Sequence, residues 1–392
     1  MNIPASGVKK RILTPTNDNY HYFFGYYDIL SYDADDRRHL FNKVSLDYRD
    51  RLPGKNDVNE LGYVDTQTGE TTIFAETTAW NFQQGAMLQW NPGNPNEEVI
   101  YNIRDGKEFR AVVHNLKTGK KRICERAIAN VSPDGKWGLA INMPRVYDFR
   151  PGYGYGDAGD KWENVATPDD DGVYLVNMET GASKLIIDYA RIAKEFPSEE
   201  FAGAKFVVNH ITFNTESNRF LFLNRNFKRE GDTRWATWLF TSDLEGNLYQ
   251  LLDATMVSHY HWKDGKTILG YLCFDGVNGI FEIDDLTHKG VEVGDINIYR
   301  GDIHTIYSPD RRYYIGDGYP VRDTQHRHIY IRDNLTGEMC NLYDEYSTAP
   351  AIIDNRCDLH NIWSHDGKRI SFDSTANGKR EIAELDVSFL YE

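Results

Sequence analysis

The chain has 392 residues, 40% of them apolar, and its 25 Tyr, 19 Phe and 8 Trp suit strands built from aromatic and β-branched side chains. A net charge of −15 with both signs interspersed argues against a phosphate backbone as partner, so no nucleic acid is expected; a local cluster of Arg and His can still reverse the potential inside one cleft. No apolar run reaches the roughly 18 residues needed to cross a bilayer, and the opening "MNIPASGVKKRILTPTND" lacks the apolar core of a signal peptide. The expectation is a cytoplasmic protein with no membrane partner, in which Cys124, Cys273, Cys340 and Cys357, having no CxxC spacing, are free thiols.

Along the chain, "KKRILTP" reads as a lone strand and is followed by seven similar units. These are "DILSYDADDRRHLFNKV", "AMLQWNPGNPNEEVIYNI", "ANVSPDGKWGLAINM", "ITFNTESNRFLFLNR", "HYHWKDGKTILGYL", "HTIYSPDRRYYIGDG" and "HNIWSHDGKRISFDS". Each is a strand, a tight turn rich in Asp, Asn and Gly, and a second strand with alternating apolar residues. After six of the units comes a further hairpin of the Thr-Gly kind, with Gly69, Gly119, Gly181, Gly246, Gly290 and Gly337 at its turns, spaced by 44 to 65 residues. That is the period of a four-stranded propeller blade. The seventh unit lacks this hairpin, so the strand of "KKRILTP" is predicted to complete it. The pattern predicts an all-β, seven-bladed β-propeller of four-stranded antiparallel blades, forming one domain over residues 1–392.

The third unit contains a long insertion, "MPRVYDFRPGYGYGDAGDKWENVATPDDDG", too rich in Gly, Tyr and Asp for a strand. Its Arg145, Tyr147, Arg150, Tyr153 and Tyr155 are candidates for a sugar-stacking lid over the rim; the alternative is a surface loop packed on its own aromatic rings.

Four histidines take the same place in four consecutive units: His210 in "VNHITF", His259 in "VSHYHW", His304 in "DIHTIY" and His360 in "DLHNIW". His21 in "NYHYFFGYYD" opens the first unit. The innermost strand of every blade faces the central channel, so equivalent positions converge there although they are far apart in sequence. Asp302 and Asp358 each precede a histidine by two residues, on the same face of the strand, as a second ligand or as an acid that orients one. Convergent imidazoles and carboxylates suit a divalent metal, while hydrogen bonding between blades is the structural alternative. His39, His114, His288, His326, His328 and His365 are expected at the surface.

The segments "RILTPTNDNYHYFF", "NHITFNTESNRFLFLNRN", "SHYHWKDGKTILGY", "IHTIYSPDRRYYIGDGYP" and "RCDLHNIWSHDGKRISFDSTANGKREIAEL" resemble the oligogalacturonate lyases of polysaccharide lyase family twenty-two. Those are seven-bladed propellers that cleave short pectin fragments with a manganese-type ion. The resemblance, which is distant, implies metal ligation by His259 and His360. It puts Asn355 and Asp358 where the family carries glutamine and histidine, and His304 stands ready to help. The implied cofactor is a divalent cation, manganese first, with zinc or calcium as alternatives. Leu175 stands where the family's arginine base is placed, and a leucine cannot accept a proton. That duty then falls to His210, His21 or a lid tyrosine, and poor action on oligogalacturonate itself is expected.

β-Elimination beside a uronate needs the carboxylate neutralised, a base for the α-proton and an acid for the leaving oxygen. The candidates are the metal and Arg225 for the carboxylate, His210 for the base, and Tyr26 or Tyr27 for the acid. The resulting expectation is a lyase acting on uronic-acid-containing oligosaccharides, with an acidic oligosaccharide as partner. Two other classes stay open: a glycoside hydrolase on a uronate-containing glycan, and a non-catalytic propeller that binds glycan or protein.

Overall fold

Every blade begins at a turn whose side chains do the work of backbone. In blades 3, 6 and 7 the hydroxyls of Ser132, Ser308 and Ser364 donate to Asp134, Asp310 and Asp366, each at 2.6 Å. The same carboxylates accept the N–H groups of Lys136, Arg312 and Lys368, which fixes the reversal before the second strand. The computed structural model describes every residue of the chain except Asn2, Ala5, Ser6, Thr233 and Arg300. All 28 strands among the described residues fall into seven four-stranded antiparallel sheets.

The predicted closure is present. Lys9–Ile12 pairs with Glu381–Asp386, in register from Lys9 opposite Asp386 to Ile12 opposite Ala383, and becomes the outermost strand of blade 7. Lys10 Nζ reaches the buried Glu345 of blade 6 at 2.9 Å, so the N-terminal strand also ties blade 7 to its neighbour. The outer hairpins turn at Gly69, Gly119, Gly181, Gly246 and Gly337, all with φ between 72° and 85°. Blade 5 departs from the prediction: Gly290 lies within the strand Gly290–Glu292, and His288, at φ 49°, makes the turn.

The insertion in blade 3 is not a plain loop. Asn142 caps a helix over Met143–Phe149, accepting the N–H of Arg145. Arg145 is wholly buried, donating to Asp160 at 3.0 Å and to the carbonyls of Phe206, Trp162, Val165 and Ala166. It pins the insertion to blade 4, and the buried Tyr155 accepts from Asn102 of blade 2. Neither is a lid residue, because both are spent on packing.

Neighbouring blades are stapled by a polar residue on the second strand. Asn42 of blade 1 accepts from Ala86 N–H and donates to the Phe24 carbonyl, and Asn102 of blade 2 pairs with both backbone groups of Ile128. At the equivalent place in blade 7 stands Asp373, which accepts from Phe24 and Gly25 of blade 1 at 2.8 and 3.2 Å. Burial outweighs these donors and the nearby Arg380, and pushes the Asp373 carboxyl up to about 7. Its folded pKa is raised, so the stability it contributes is present below the unfolded value and lost as pH rises toward 7. Asp373→Asn is therefore expected to raise Tm over wild type at pH 8, by on the order of 2–4 kcal/mol in stability, with the advantage shrinking toward pH 5. Thermal melts at the two pH values read this directly; a loss of stability at pH 8 would contradict it.

Candidate axial histidine site

The inner strands deliver the four in-register histidines to one place. His210 comes from Phe206–Phe213, His259 from Val257–Trp262, His304 from Ile303–Tyr307, and His360 from the segment just before Ile362–Trp363. Successive ring centroids lie 6.4, 3.7 and 4.6 Å apart, and all four side chains are buried. Two tyrosines from blade 1 complete the circle: Tyr26 packs against His210 and His360, and Tyr27 against His259, His304 and His360. Tyr27 is fixed by donating to the Tyr260 carbonyl at 2.8 Å.

His210 and His360 both adopt φ 49°, a left-handed conformation that costs a non-glycine residue about 1–3 kcal/mol. In blade 4 the strand register breaks between Asn209 and Thr212, a bulge that re-aims the His210 side chain. Strain placed on two of the four axial imidazoles belongs to a site that has to point them.

The ring nitrogens are sorted by their partners. His259 Nδ1 lies 2.9 Å from Asp302, His304 Nδ1 lies 3.3 Å from Asp317, and His360 Nδ1 donates to the Gly25 carbonyl. In each case Nδ1 faces an acceptor and Nε2 is left to present a lone pair; Nε2 of His304 and of His360 is buried with no hydrogen-bond partner, and the approach of His304 Nδ1 to Asp317 is an ion-pair contact without hydrogen-bond geometry. Acceptors behind Nδ1 are what orient ligating imidazoles. Burial drives His360 down to about 3 and His259 below its ordinary value against the pull of Asp302. At His304 burial is outweighed by Asp317, and its pKa is raised.

Asp358 joins His304 and His360 in a group whose donor atoms lie within 4.8 Å of one another. Burial works against its ionisation, but Arg356 at 2.6 Å and Arg327 at 2.9 Å hold it well below the ordinary carboxylate range. Orphaned imidazole nitrogens beside an ionised carboxylate fit a divalent cation of the manganese or zinc type.

Arg225, on Arg219–Asn226 of blade 4, lies near His210, on which its charge acts. It is 5% exposed, donates from Nε to Thr237 at 3.2 Å, and among the described residues has no carboxylate partner; its Nη1 is buried and unpaired there. Burial, then the charge of Arg150, pull its pKa down to about 10. An open cleft of about 610 Å³ reaches it, lined by Arg150, Arg234, Trp235, Asp302 and Tyr319 among others. An unpaired buried guanidinium at the floor of a cleft is a site for an anion.

Other candidates fall elsewhere. His21 sits against Tyr48, accepts from Arg380 N–H at 3.1 Å and is pushed down to about 4 by burial; its contacts lie at the junction of blades 7 and 1, outside the axial group. Asn355 donates to the carbonyls of Tyr48 and Arg51. Leu175 is on Gly172–Asn177, the third strand of blade 3, packed in an apolar cluster. His39 and His114, expected at the surface, are buried: His39 bridges Leu40 and Ser371, and His114 packs on Phe74 and Tyr101. Of the remaining lid candidates, Arg150 lines the cleft and Tyr153 packs edge-on to His210 while accepting from Arg356. Asp317, Arg327 and Arg356 were not singled out from the sequence. Aligning the second strands would have shown Asp317, in "YYIGDG", directly opposite His304.

The fold and site define an all-β seven-bladed propeller with imidazoles and arginines gathered on its axis. It has the fold of oligogalacturonate lyase. One solved structure, an oligogalacturonate lyase in complex with manganese, superposes with a TM-score of 0.68 at 15% identity, covering 100% of this chain and 96% of that one. The oligogalacturonate lyase of Vibrio parahaemolyticus gives 0.68 at 14% identity, covering 98% and 95%. A tricorn protease gives 0.52 at 12% identity, over 94% of this chain and 34% of that one. No family model and no curated protein matches the chain.

Because Arg225 is buried without a counter-charge, Arg225→Met is expected to leave Tm unchanged or raised, as read by thermal melts. A Tm lowered by several degrees would make Arg225 a structural residue instead.

Proposed function

We propose that this propeller is a lyase that cleaves a uronic-acid-containing oligosaccharide by β-elimination, with a divalent cation, manganese first, on the axis. The observation that carries the reading is Arg225, a buried guanidinium with an unpaired Nη1 that lines an open cleft together with Asp302, the carboxylate behind His259, and whose charge also reaches His210. The shared fold with a lyase whose structure contains manganese supports it. The ligands would be Nε2 of His304 and His360 with Asp358, and His259 adjoining; the bound cation would act as a Lewis acid on the uronate carboxylate.

The chain's own groups divide the remaining work. Arg225 takes the substrate carboxylate in a charge-assisted pair. His210 is held neutral, its pKa pressed well down by burial and then by Arg225, and its Nδ1 is hydrogen-bonded to the Tyr26 hydroxyl. With Nδ1–H donating to the Tyr26 oxygen, Nε2 has a lone pair for the α-proton and the Tyr26 O–H is free for the leaving oxygen. When the C–H and C–O bonds break, Nε2 gains the α-proton, Nδ1 passes its proton to the Tyr26 oxygen, and Tyr26 gives its own to the leaving group. No net proton is taken up or released, and the imidazole ends in its other tautomer. Residue 175, a leucine in the core of blade 3, can take no proton, and in this reading the base is His210.

A hydrolase would need two carboxylates free across the bond. Near the axis Asp302 and Asp317 are each paired with a histidine and Asp358 with two arginines, so none of these three is a free acid or base for that reaction. The test is incubation with a panel of uronate-containing oligosaccharides, digalacturonate included, following the ultraviolet absorbance of the unsaturated product. Turnover should appear on at least one of them and fall by about 10²–10⁴-fold in His210→Ala. No absorbing product on any of them would return the protein to the class of binding propellers.

A further inference from the structure

The inter-blade staple occurs in four blades at one equivalent place, four residues past the residue whose carbonyl closes the turn. The closing residues are Arg38, Glu98, Tyr313 and Arg369, and the staples are Asn42, Asn102, Asp317 and Asp373. Each does the same backbone job, accepting an N–H from the next blade: Ala86, Ile128, Leu359, and Phe24 with Gly25. An amide does this job in blades 1 and 2 without any charge. Blades 6 and 7 use a carboxylate, although burying one is costly without a partner.

The two carboxylates differ in what else they meet. Asp373 accepts two backbone N–H groups and feels the charges of Arg380 and, more weakly, Asp317, but touches no histidine, and its carboxyl is pushed up to about 7. Asp317 is fully buried, and its Oδ1 lies 3.3 Å from His304 Nδ1, directly across the strand pair. Its Oδ2 accepts from Leu359 N–H at 3.1 Å, at the residue between Asp358 and His360. One carboxylate thus touches both chain segments that carry the three clustered donors. The backbone job alone does not call for its charge, since asparagine performs it elsewhere in the ring.

We infer that Asp317 is a positioning residue that sets the affinity of the axial site for a divalent cation, by fixing the His304 ring with Nδ1–H toward itself and holding the Leu359 backbone that aims Asp358 and His360. This rests on the cation proposed above. Losing such an outer carboxylate typically costs about 10–100-fold in metal affinity.

The experiment is manganese(II) binding to the full chain after chelator treatment, by equilibrium dialysis with electron paramagnetic resonance of the free ion. It compares wild type, Asp317→Asn and Asp373→Asn. Both variants install the residue that blades 1 and 2 use, so both should melt cooperatively. Asp317→Asn should weaken the Kd by about 10–100-fold, while Asp373→Asn leaves it unchanged. Equal affinity in wild type and Asp317→Asn overturns the inference and spares the metal site. Equal weakening in both variants overturns it as well, because the effect would then belong to the staple rather than to the carboxylate beside His304. If wild type takes up no ion, the metal reading fails first and this inference with it.

Discussion

Four imidazoles cannot be buried side by side unless their charge and their N–H groups are settled, and that requirement organises the centre of this molecule. A buried polar group without a partner costs about 1–3 kcal/mol, and a buried charge costs more. The fold answers from outside the ring: Asp302 stands behind His259, Asp317 behind His304, the Gly25 carbonyl behind His360 and the Tyr26 hydroxyl beside His210. These partners come from the neighbouring blade for His259 and His360, from the paired strand for His304, and from blade 1 across the ring for His210. The axial geometry therefore depends on the blades being in register, and closure of the ring by Lys9–Ile12 is part of the site as well as of the fold.

Charge is distributed unevenly around that centre. The carboxylates near the axis are matched to histidines or arginines, with Asp358 clamped by two guanidiniums. Arg225 is not matched, and Arg150, its neighbour across the cleft, adds to rather than relieves its charge. The cleft lining sets Arg150, Arg225 and Arg234 against Glu200, Asp232 and Asp302, so the unpaired Nη1 of Arg225, rather than a net positive field, is what the cleft offers an anion.

The blade count, the N-terminal strand of blade 7 and the convergence of His210, His259, His304 and His360 were all legible, because turn chemistry and strand spacing repeat in the sequence. His21 misled for a physical reason. It resembles the others in opening a unit, but the residue of its strand paired with the staple Asn42 is Phe23, so the axial place in blade 1 is apolar. The tyrosines of "FGYYD" fill that gap from the following loop. His39 and His114 were misjudged because nothing beside them in the sequence marks which strand faces are covered, and both are on faces covered by other strands or blades. Arg145 looked like a lid residue because no local signal marks a guanidinium that will be wrapped by carbonyls from 162 to 206. Arg327 and Arg356 escaped notice since their shared partner, Asp358, was itself read as a metal ligand.

The account's central claim is that the axial imidazoles and Arg225 serve one ligand-binding centre. Diffraction at the manganese edge, from crystals soaked with manganese(II) and a uronate disaccharide, tests it most directly. The account predicts an anomalous peak bounded by Nε2 of His304 and His360, with the sugar carboxylate paired to Arg225. A peak elsewhere, or a sugar bound away from Arg225 with the histidines unchanged, would contradict it.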